Sequence, residues 1–154
     1  MCRKKICLIS SSGGHLEQIR QLKGISERYD CFYVVTRTKA TEAMKQRRYI
    51  VSDLVRKNRA AMLFRMLKMV FEQFIVFFRE RPDIILTTGA AVAIPMCVIG
   101  KIFRKKVIYI ESFVRMTMPS KTGLFVYKFA DLFIIQWEEL KKYYPRAVYG
   151  GAIY

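Results

Sequence analysis

The stretch "ICLISSSGGHLEQI", residues 6–19, decides the fold. Four apolar residues run into three serines, two glycines and the single histidine of the chain, and then into helix-forming residues. That order predicts a strand over Lys5–Ser10, a tight turn over Ser11–Gly14 and a helix from about His15. Glycine accepts positive φ and lets a ligand come close to the backbone. The free N–H groups of a first helical turn attract anions, phosphate above all. The turn lacks the Lys-Ser/Thr of a P-loop and does not complete a GxGxxG fingerprint. By spacing alone, an ordinary βα connection and an anion cradle both satisfy it. His15 sharpens the choice: at the carboxyl end of a first strand it faces the crevice where open α/β sheets bind ligands. It is also the side chain suited to taking a proton near neutral pH.

The same alternation continues along the chain. Short apolar runs at Cys31–Thr36, Asp83–Thr87, Val107–Ile110 and Leu132–Ile135 read as strands, and "RRYIVSD" (47–53) as a further short one. Helices are expected at Leu16–Arg28, Arg56–Arg79, Ala91–Phe103, Ser120–Phe129 and Trp137–Tyr143. Nearly continuous Val/Ile/Leu/Phe in the strands implies helices on both faces of a parallel sheet. The fold class is therefore α/β. With 154 residues and no repeat or low-complexity linker, one domain over 1–154 is the economical reading.

Composition narrows the partners. The formal net charge is +16, from 28 basic and 12 acidic residues, and 53% of the chain is apolar. Basic residues are spread evenly over both halves, so the whole domain is cationic and favours anionic partners. High apolarity together with high basicity points to a membrane surface more than to nucleic acid. Zinc-finger spacing, an RNP-like aromatic motif and a recognition-helix pattern are all missing, which argues against nucleic-acid binding. Four cysteines without a CxxC pair, one histidine and no DxD motif argue against a bound metal. Cys7, Cys31 and Cys97 sit in apolar runs and read as core residues of a reducing compartment. The longest uncharged stretch, Ile84–Gly100, is seventeen residues and is broken by Gly89 and Pro95. No transmembrane segment is expected, since a spanning helix needs about 20 apolar residues.

One helix is out of the ordinary. "RAAMLFRMLKMVFEQFIVFFRE" (59–80) carries a narrow polar stripe of Arg65, Lys68, Glu72 and Arg79 and is otherwise apolar apart from Gln73. A surface helix normally buries an apolar face of about 100°. The surplus here has three readings: a helix wedged deep in the fold, a helix lying in a bilayer interface, or a docking surface for a partner protein. The second assigns membrane association to a helix at about 56–80, with Arg56, Lys57 and Arg59 as cationic contacts and Phe71, Phe74 and Phe78 as apolar ones.

Two further strand ends supply chemistry. Glu111 closes the apolar run of "VIYIESF", so its carboxylate is expected at the same sheet edge as His15. In "TTGAAVAIP" (87–95), Gly89 permits close backbone approach and Thr87 and Thr88 offer hydroxyls. No GxSxG occurs, so Ser10, Ser11 and Ser12 are not read as hydrolytic nucleophiles.

The order "SSSGGHLEQ", "PDIILTTGAAVAIP", "KVIYIESF", "DLFIIQWEEL" and "YPRAVYGGAIY" closely resembles a family of bacterial capsular and exopolysaccharide glycosyltransferase subunits. That family is homologous to the membrane-associated subunit of the two-part UDP-N-acetylglucosamine transferase that makes dolichol-linked chitobiose. More distantly the chain is similar to the N-terminal half of the peptidoglycan enzyme that adds N-acetylglucosamine to lipid I. The resemblance implies the Rossmann-like, acceptor-binding N-terminal half of a GT-B enzyme split into two polypeptides. It implies inverting transfer of a sugar from a nucleotide-sugar, such as a UDP-sugar, to a polyprenyl-diphosphate-linked saccharide. No cofactor is implied, and the donor would be bound mainly by the partner subunit. Ser11, Ser12, Gly13, Gly14, Thr88 and Gly89 would hold the acceptor diphosphate, with His15 and Glu111 as catalytic residues. Either of the two can be written as the base, the other orienting it. Trp137, Tyr149, Gly150, Gly151 and Tyr154 would meet the partner chain. A non-catalytic scaffold that recruits and activates the partner is the alternative. The ending "YGGAIY" matches the family's usual terminus, so the chain is read as complete. The eukaryotic subunit's N-terminal anchor has no counterpart before the first strand, which shifts attachment to the 59–80 segment. The expected location is peripheral, on the cytoplasmic face of the bacterial inner membrane.

Overall fold

The computed structural model describes residues 3–53 and 59–153. Among these residues one seven-stranded, fully parallel sheet forms the centre, in the order β3-β2-β1-β4-β5-β6-β7. Its strands are β1 (Lys5–Ser10), β2 (Asp30–Thr36), β3 (Arg48–Val51), β4 (Ile84–Thr87), β5 (Lys106–Ile110), β6 (Leu132–Ile135) and β7 (Val148–Tyr149). Helices α1 (Gly14–Gln21), α2 (Lys23–Arg28), α3 (Lys39–Glu42), α4 (Arg59–Glu80), α5 (Ala93–Ile102) and α6 (Lys121–Val126) connect them, and a 3₁₀ helix covers Glu138–Lys142. The register runs Ile6↔Cys31 on one side of β1 and Ile6↔Ile84 on the other.

Strand alternation sorts the core into two layers. Cys7, Ile9, Ile85, Val107 and Tyr109 face α4 and α5, meeting Met69, Phe77, Met96 and Cys97. Ile6, Leu8, Leu86 and Ile110 face the other way, against Leu16 and Ile19 of α1 and Met44. The helices therefore cover both faces, as the Val/Ile-rich strands imply. Burial pushes the Cys97 thiol up to about 12 and raises Cys7 well above its ordinary value, so both stay protonated and act as small apolar groups.

The structure departs from the sequence reading in several elements. The helix expected over Leu16–Arg28 is two helices, α1 and α2, broken at Leu22, whose ψ of 52° leaves the helical range. The segment Lys39–Glu42 forms a short helix closed by a reciprocal Thr38–Thr41 capping box. The two-residue edge strand β7 has too little sequence for a periodicity signal. Within the expected helix Arg56–Arg79, positions 56–58 lie outside the described residues.

The buried stripe of α4 is not the one its composition suggests. Met69, Gln73, Val76, Phe77 and Glu80 face inward at helical spacing. Leu63, Phe64, Leu67, Phe71, Phe74, Ile75 and Phe78 face outward, with Phe64 71% and Phe71 64% exposed. The reading of α4 as a helix wedged deep in the fold does not hold. Among the described residues, no helix is long and apolar enough to cross a membrane. Glu80 ties the base of the fold together. It accepts hydrogen bonds from Tyr49 of β3 and from Lys5 of β1 (3.1 Å), with Arg47 3.6 Å away. Burial alone would raise its pKa, but the hydrogen bonds from Tyr49 and Lys5 and the Arg47 charge outweigh it and hold the carboxyl below its usual value.

Candidate functional site

The order of strands reverses between β1 and β4, since β2 and β3 lie to one side and β5 to β7 to the other. In open α/β sheets such a reversal sends the connections to opposite faces, and ligands bind in the crevice outside the carboxyl ends of the strands. Both candidate loops, residues 11–14 and 88–92, stand on that crevice.

The first loop turns at Gly13, whose φ of +89° favours glycine. The Gly13 carbonyl accepts from Leu16 and Glu17 (3.0 and 3.1 Å) and starts α1. No side chain caps this helix. Among the described residues, the amides of Gly13, Gly14 and His15 have no hydrogen-bond partner. Gly13 and Gly14 are exposed, and a Cβ on either would meet nothing within 4 Å. The loop is held from below by Thr36 at the end of β2. The Ser12 amide donates to the Thr36 hydroxyl (3.0 Å), which donates in turn to Ser12 Oγ (3.3 Å). Ser11 and Ser12 are half-buried. The result is a supported loop with three amides free and open space above them, the geometry of an anion cradle.

His15 and Thr88 join the two loops through a reciprocal pair. The His15 ring places Nδ1 2.9 Å from the Thr88 carbonyl, and the Thr88 hydroxyl donates to the His15 carbonyl at 2.9 Å. A carbonyl only accepts, so Nδ1 carries the hydrogen and the neutral ring keeps its lone pair on Nε2. Nε2 has no partner among the described residues. Burial lowers the His15 pKa, and the Thr88 carbonyl and the Glu111 charge offset this only in part. The imidazole is therefore neutral at pH 7 and able to accept a proton. Thr88 is fully buried, and its hydrogen is engaged by His15.

Gly89 sits at φ +115°, and a Cβ there would come 2.9 Å from the Tyr109 hydroxyl and 3.2 Å from His15 Cε1. The turn is fixed by Thr87, whose hydroxyl accepts from the Gly89 amide (3.0 Å) and donates to its carbonyl (3.3 Å). Ala90 follows at φ +71°, a conformation that alanine rarely adopts.

Glu111 ends β5 on the same edge, but it is enclosed. It is fully buried, with Oε1 accepting from the Ser112 amide (3.0 Å). Oε2 accepts from the Ser120 amide (3.3 Å), the Ser120 hydroxyl (3.1 Å) and the Tyr144 hydroxyl (2.7 Å). This carboxylate closes the 111–120 loop onto the start of α6. Gly123 is required beside it, because a Cβ there would overlap Glu111 Oε2 and the Tyr144 hydroxyl.

The residues read as membrane contacts divide. Phe71, Phe74 and Phe78 stand on the exposed face of α4, whereas Arg56 and Lys57 lie outside the described residues and Arg59 begins the helix. Of the residues read as a partner interface, Tyr149 and Gly150 are exposed on the sheet edge and Gly151 follows at φ +64°. Trp137 is half-buried and donates from Nε1 to the Phe113 carbonyl (2.7 Å). Tyr154 lies outside the described residues.

Sequence reasoning missed Thr36, Tyr109, Tyr144 and Arg115. Arg115 is an exposed cation in the 111–120 loop whose charge reaches His15 and lowers its pKa. The signal for it was a single charge within "FVRMTM" (113–118). A separate cleft of about 560 Å³, lined by Arg37, Asp53, Arg65, Lys68 and Glu72 beside β3, contains none of the loop residues of the crevice.

A parallel sheet with this strand order and glycine loops at its switch point is the Rossmann-like fold of GT-B glycosyltransferases and their structural neighbours. MurG from Acinetobacter baumannii superposes with a TM-score of 0.71 at 18% identity, over 88% of this chain and 42% of that one. UDP-N-acetylglucosamine 2-epimerase from Rickettsia bellii superposes with a TM-score of 0.70 at 12% identity, over 93% and 41%. The chain thus spans about two-fifths of either structure. The family model described as "Oligosaccharide biosynthesis protein Alg14 like" matches residues 6–153, and the chain belongs to that family. The human "UDP-N-acetylglucosamine transferase subunit ALG14" is 29% identical over 177 residues, covering 96% of this chain and 82% of its own.

Proposed function

We propose that this chain is the acceptor-binding, membrane-peripheral subunit of a two-component inverting glycosyltransferase. The acceptor is a polyprenyl-diphosphate-linked saccharide of capsule or exopolysaccharide synthesis, at the cytoplasmic face of the inner membrane. The donor nucleotide-sugar is bound mainly by a separate partner chain. The name of the human relative, a transferase subunit, supports division of the enzyme between two chains. The observation that carries the reading is the His15–Thr88 pair, which holds an unpartnered Nε2 beside three free amides at the switch point. The amides receive the acceptor diphosphate. Nε2 takes the proton of the acceptor hydroxyl as its oxygen bonds to the anomeric carbon. The bond from that carbon to the nucleoside diphosphate breaks, and the diphosphate leaves with the electron pair. Glu111, enclosed by four donors, acts as a positioning residue and His15 as the base.

General-base assistance contributes roughly 10²–10⁴ in rate. In a reconstituted pair, His15→Ala lowers kcat by that order while vesicle binding is unchanged; a wild-type rate overturns the assignment. A second reading, a scaffold that recruits and activates the catalytic chain, is favoured by the exposed apolar face of α4. A scaffold tolerates His15→Ala and fails when Phe71 is made charged.

A further inference from the structure

The turn that carries Gly89 runs into an apolar groove. Helices α4 and α5 pack side by side, and between them lies an open groove of about 420 Å³. Met66, Met69 and Val70 form one wall and Ile94, Val98 and Ile102 the other. Every lining residue is apolar. The volume falls in the roughly 300–1,000 Å³ range of small-molecule sites, yet the walls offer nothing that would orient a polar ligand. Ala91 closes the lining at the end nearest the crevice. It lies two residues after Gly89, so at most about 7.6 Å of backbone separates groove from crevice. Gln73 holds the walls together at this end, donating from Nε2 to the Val92 carbonyl at 2.8 Å. At the other end Ile102 is largely exposed, and on the α4 side the Met66 wall merges with the outward apolar stripe of Leu63 and Leu67.

We infer that this groove holds the first isoprenoid units of the polyprenyl-diphosphate acceptor, an inference that rests on the acceptor reading above. The polarity sequence matches that amphiphile end to end. Free amides at Gly13–His15 meet the diphosphate, and the wholly apolar channel beginning at Ala91 meets the tail. The stripe of α4 then takes the chain into the bilayer. Helix α5 is ten residues, about 15 Å long, so only the first few prenyl units fit and the remainder lies outside.

The test titrates the full chain with dimethylallyl, geranyl, farnesyl and geranylgeranyl diphosphate by calorimetry. Affinity rises about tenfold or more along the series, as burial of several methylene groups requires, and is flat for longer tails. Val98→Trp and Val70→Trp fill the groove from opposite walls, both at half-buried positions. Each removes the dependence on tail length, while inorganic pyrophosphate, which has no tail, binds as it does to the unsubstituted chain. With the reconstituted pair, each raises KM for the polyprenyl acceptor more than for a short-tailed analogue. Affinity independent of tail length in the unsubstituted chain overturns the inference, as does a length dependence that survives both variants. Variants that weaken vesicle binding or partner association instead, with length dependence retained, assign the groove to bilayer lipid or protein and also overturn it. Length-dependent binding without any transfer by the pair overturns the acceptor reading alone. Transfer indifferent to tail length and to Val98→Trp overturns the groove alone.

Discussion

At the scale of single residues, the crevice depends on positions whose chemistry is set by their neighbours. His15 is neutral because burial lowers its pKa, so it accepts a proton only above a pH lying below its ordinary value of about 6.5. The rate of the reconstituted pair therefore rises with pH along an acid limb centred below about 6.5, and His15→Gln abolishes that limb. A limb unchanged in the variant removes His15 from proton transfer. Gly89→Ala places a Cβ at φ +115° against Tyr109 and His15, which costs roughly 1–3 kcal/mol in urea unfolding and lowers activity. Glu111→Ala leaves the Tyr144 and Ser120 hydroxyls without their acceptor and costs a similar roughly 1–3 kcal/mol. Because Glu111 acts through the loop, the acid limb of the pH profile persists in that variant. The strand-end positions of His15, Gly89 and Glu111 were legible in the sequence, since apolar runs mark where strands stop. The enclosure of Glu111 was not legible: two of its partners, Ser120 and Tyr144, lie 9 and 33 positions away, and no local pattern records such contacts.

Among the elements, α4 departs most from a surface helix. Its inward stripe includes Gln73 and Glu80, while its outward stripe is phenylalanine and leucine. The sequence exposed the excess of apolar residues on this helix but not which face is turned in. That choice depends on Gln73 reaching the Val92 carbonyl and Glu80 reaching Lys5 and Tyr49. Phe71→Glu and Phe74→Glu alter exposed positions, so the fold is retained. Each lowers partition onto anionic vesicles by roughly ten- to a hundredfold, the loss expected for one buried aromatic side chain. Co-sedimentation unchanged from the unsubstituted chain excludes this face as the contact. Glu80 makes the base of the fold acid-sensitive. Its folded pKa is below the unfolded one, so the stabilisation is complete above about pH 4.3 and is lost as pH falls through the folded value. In Glu80→Gln, stability between pH 3 and 5 should show a shallower dependence on pH.

For the whole molecule, the proposed division of the enzyme between two chains predicts that the purified chain alone shows little or no transfer. Full activity without a partner would contradict the division into two chains. The alternating apolar runs made the sheet and its helices legible, whereas the break at Leu22 and the edge strand β7 carried too little local signal. The parallel topology has a consequence in time. His15 and Thr88 lie 73 positions apart, and β1 waits on a growing chain until β4 has been made before its second neighbour exists. Closing so large a loop is slow compared with forming local helices. The reciprocal hydrogen bonds of the crevice thus belong to a late folding event. Amide exchange at Gly89 should report arrival of the native state, and a ribosome-bound fragment ending before β4 should fold neither the sheet centre nor the crevice.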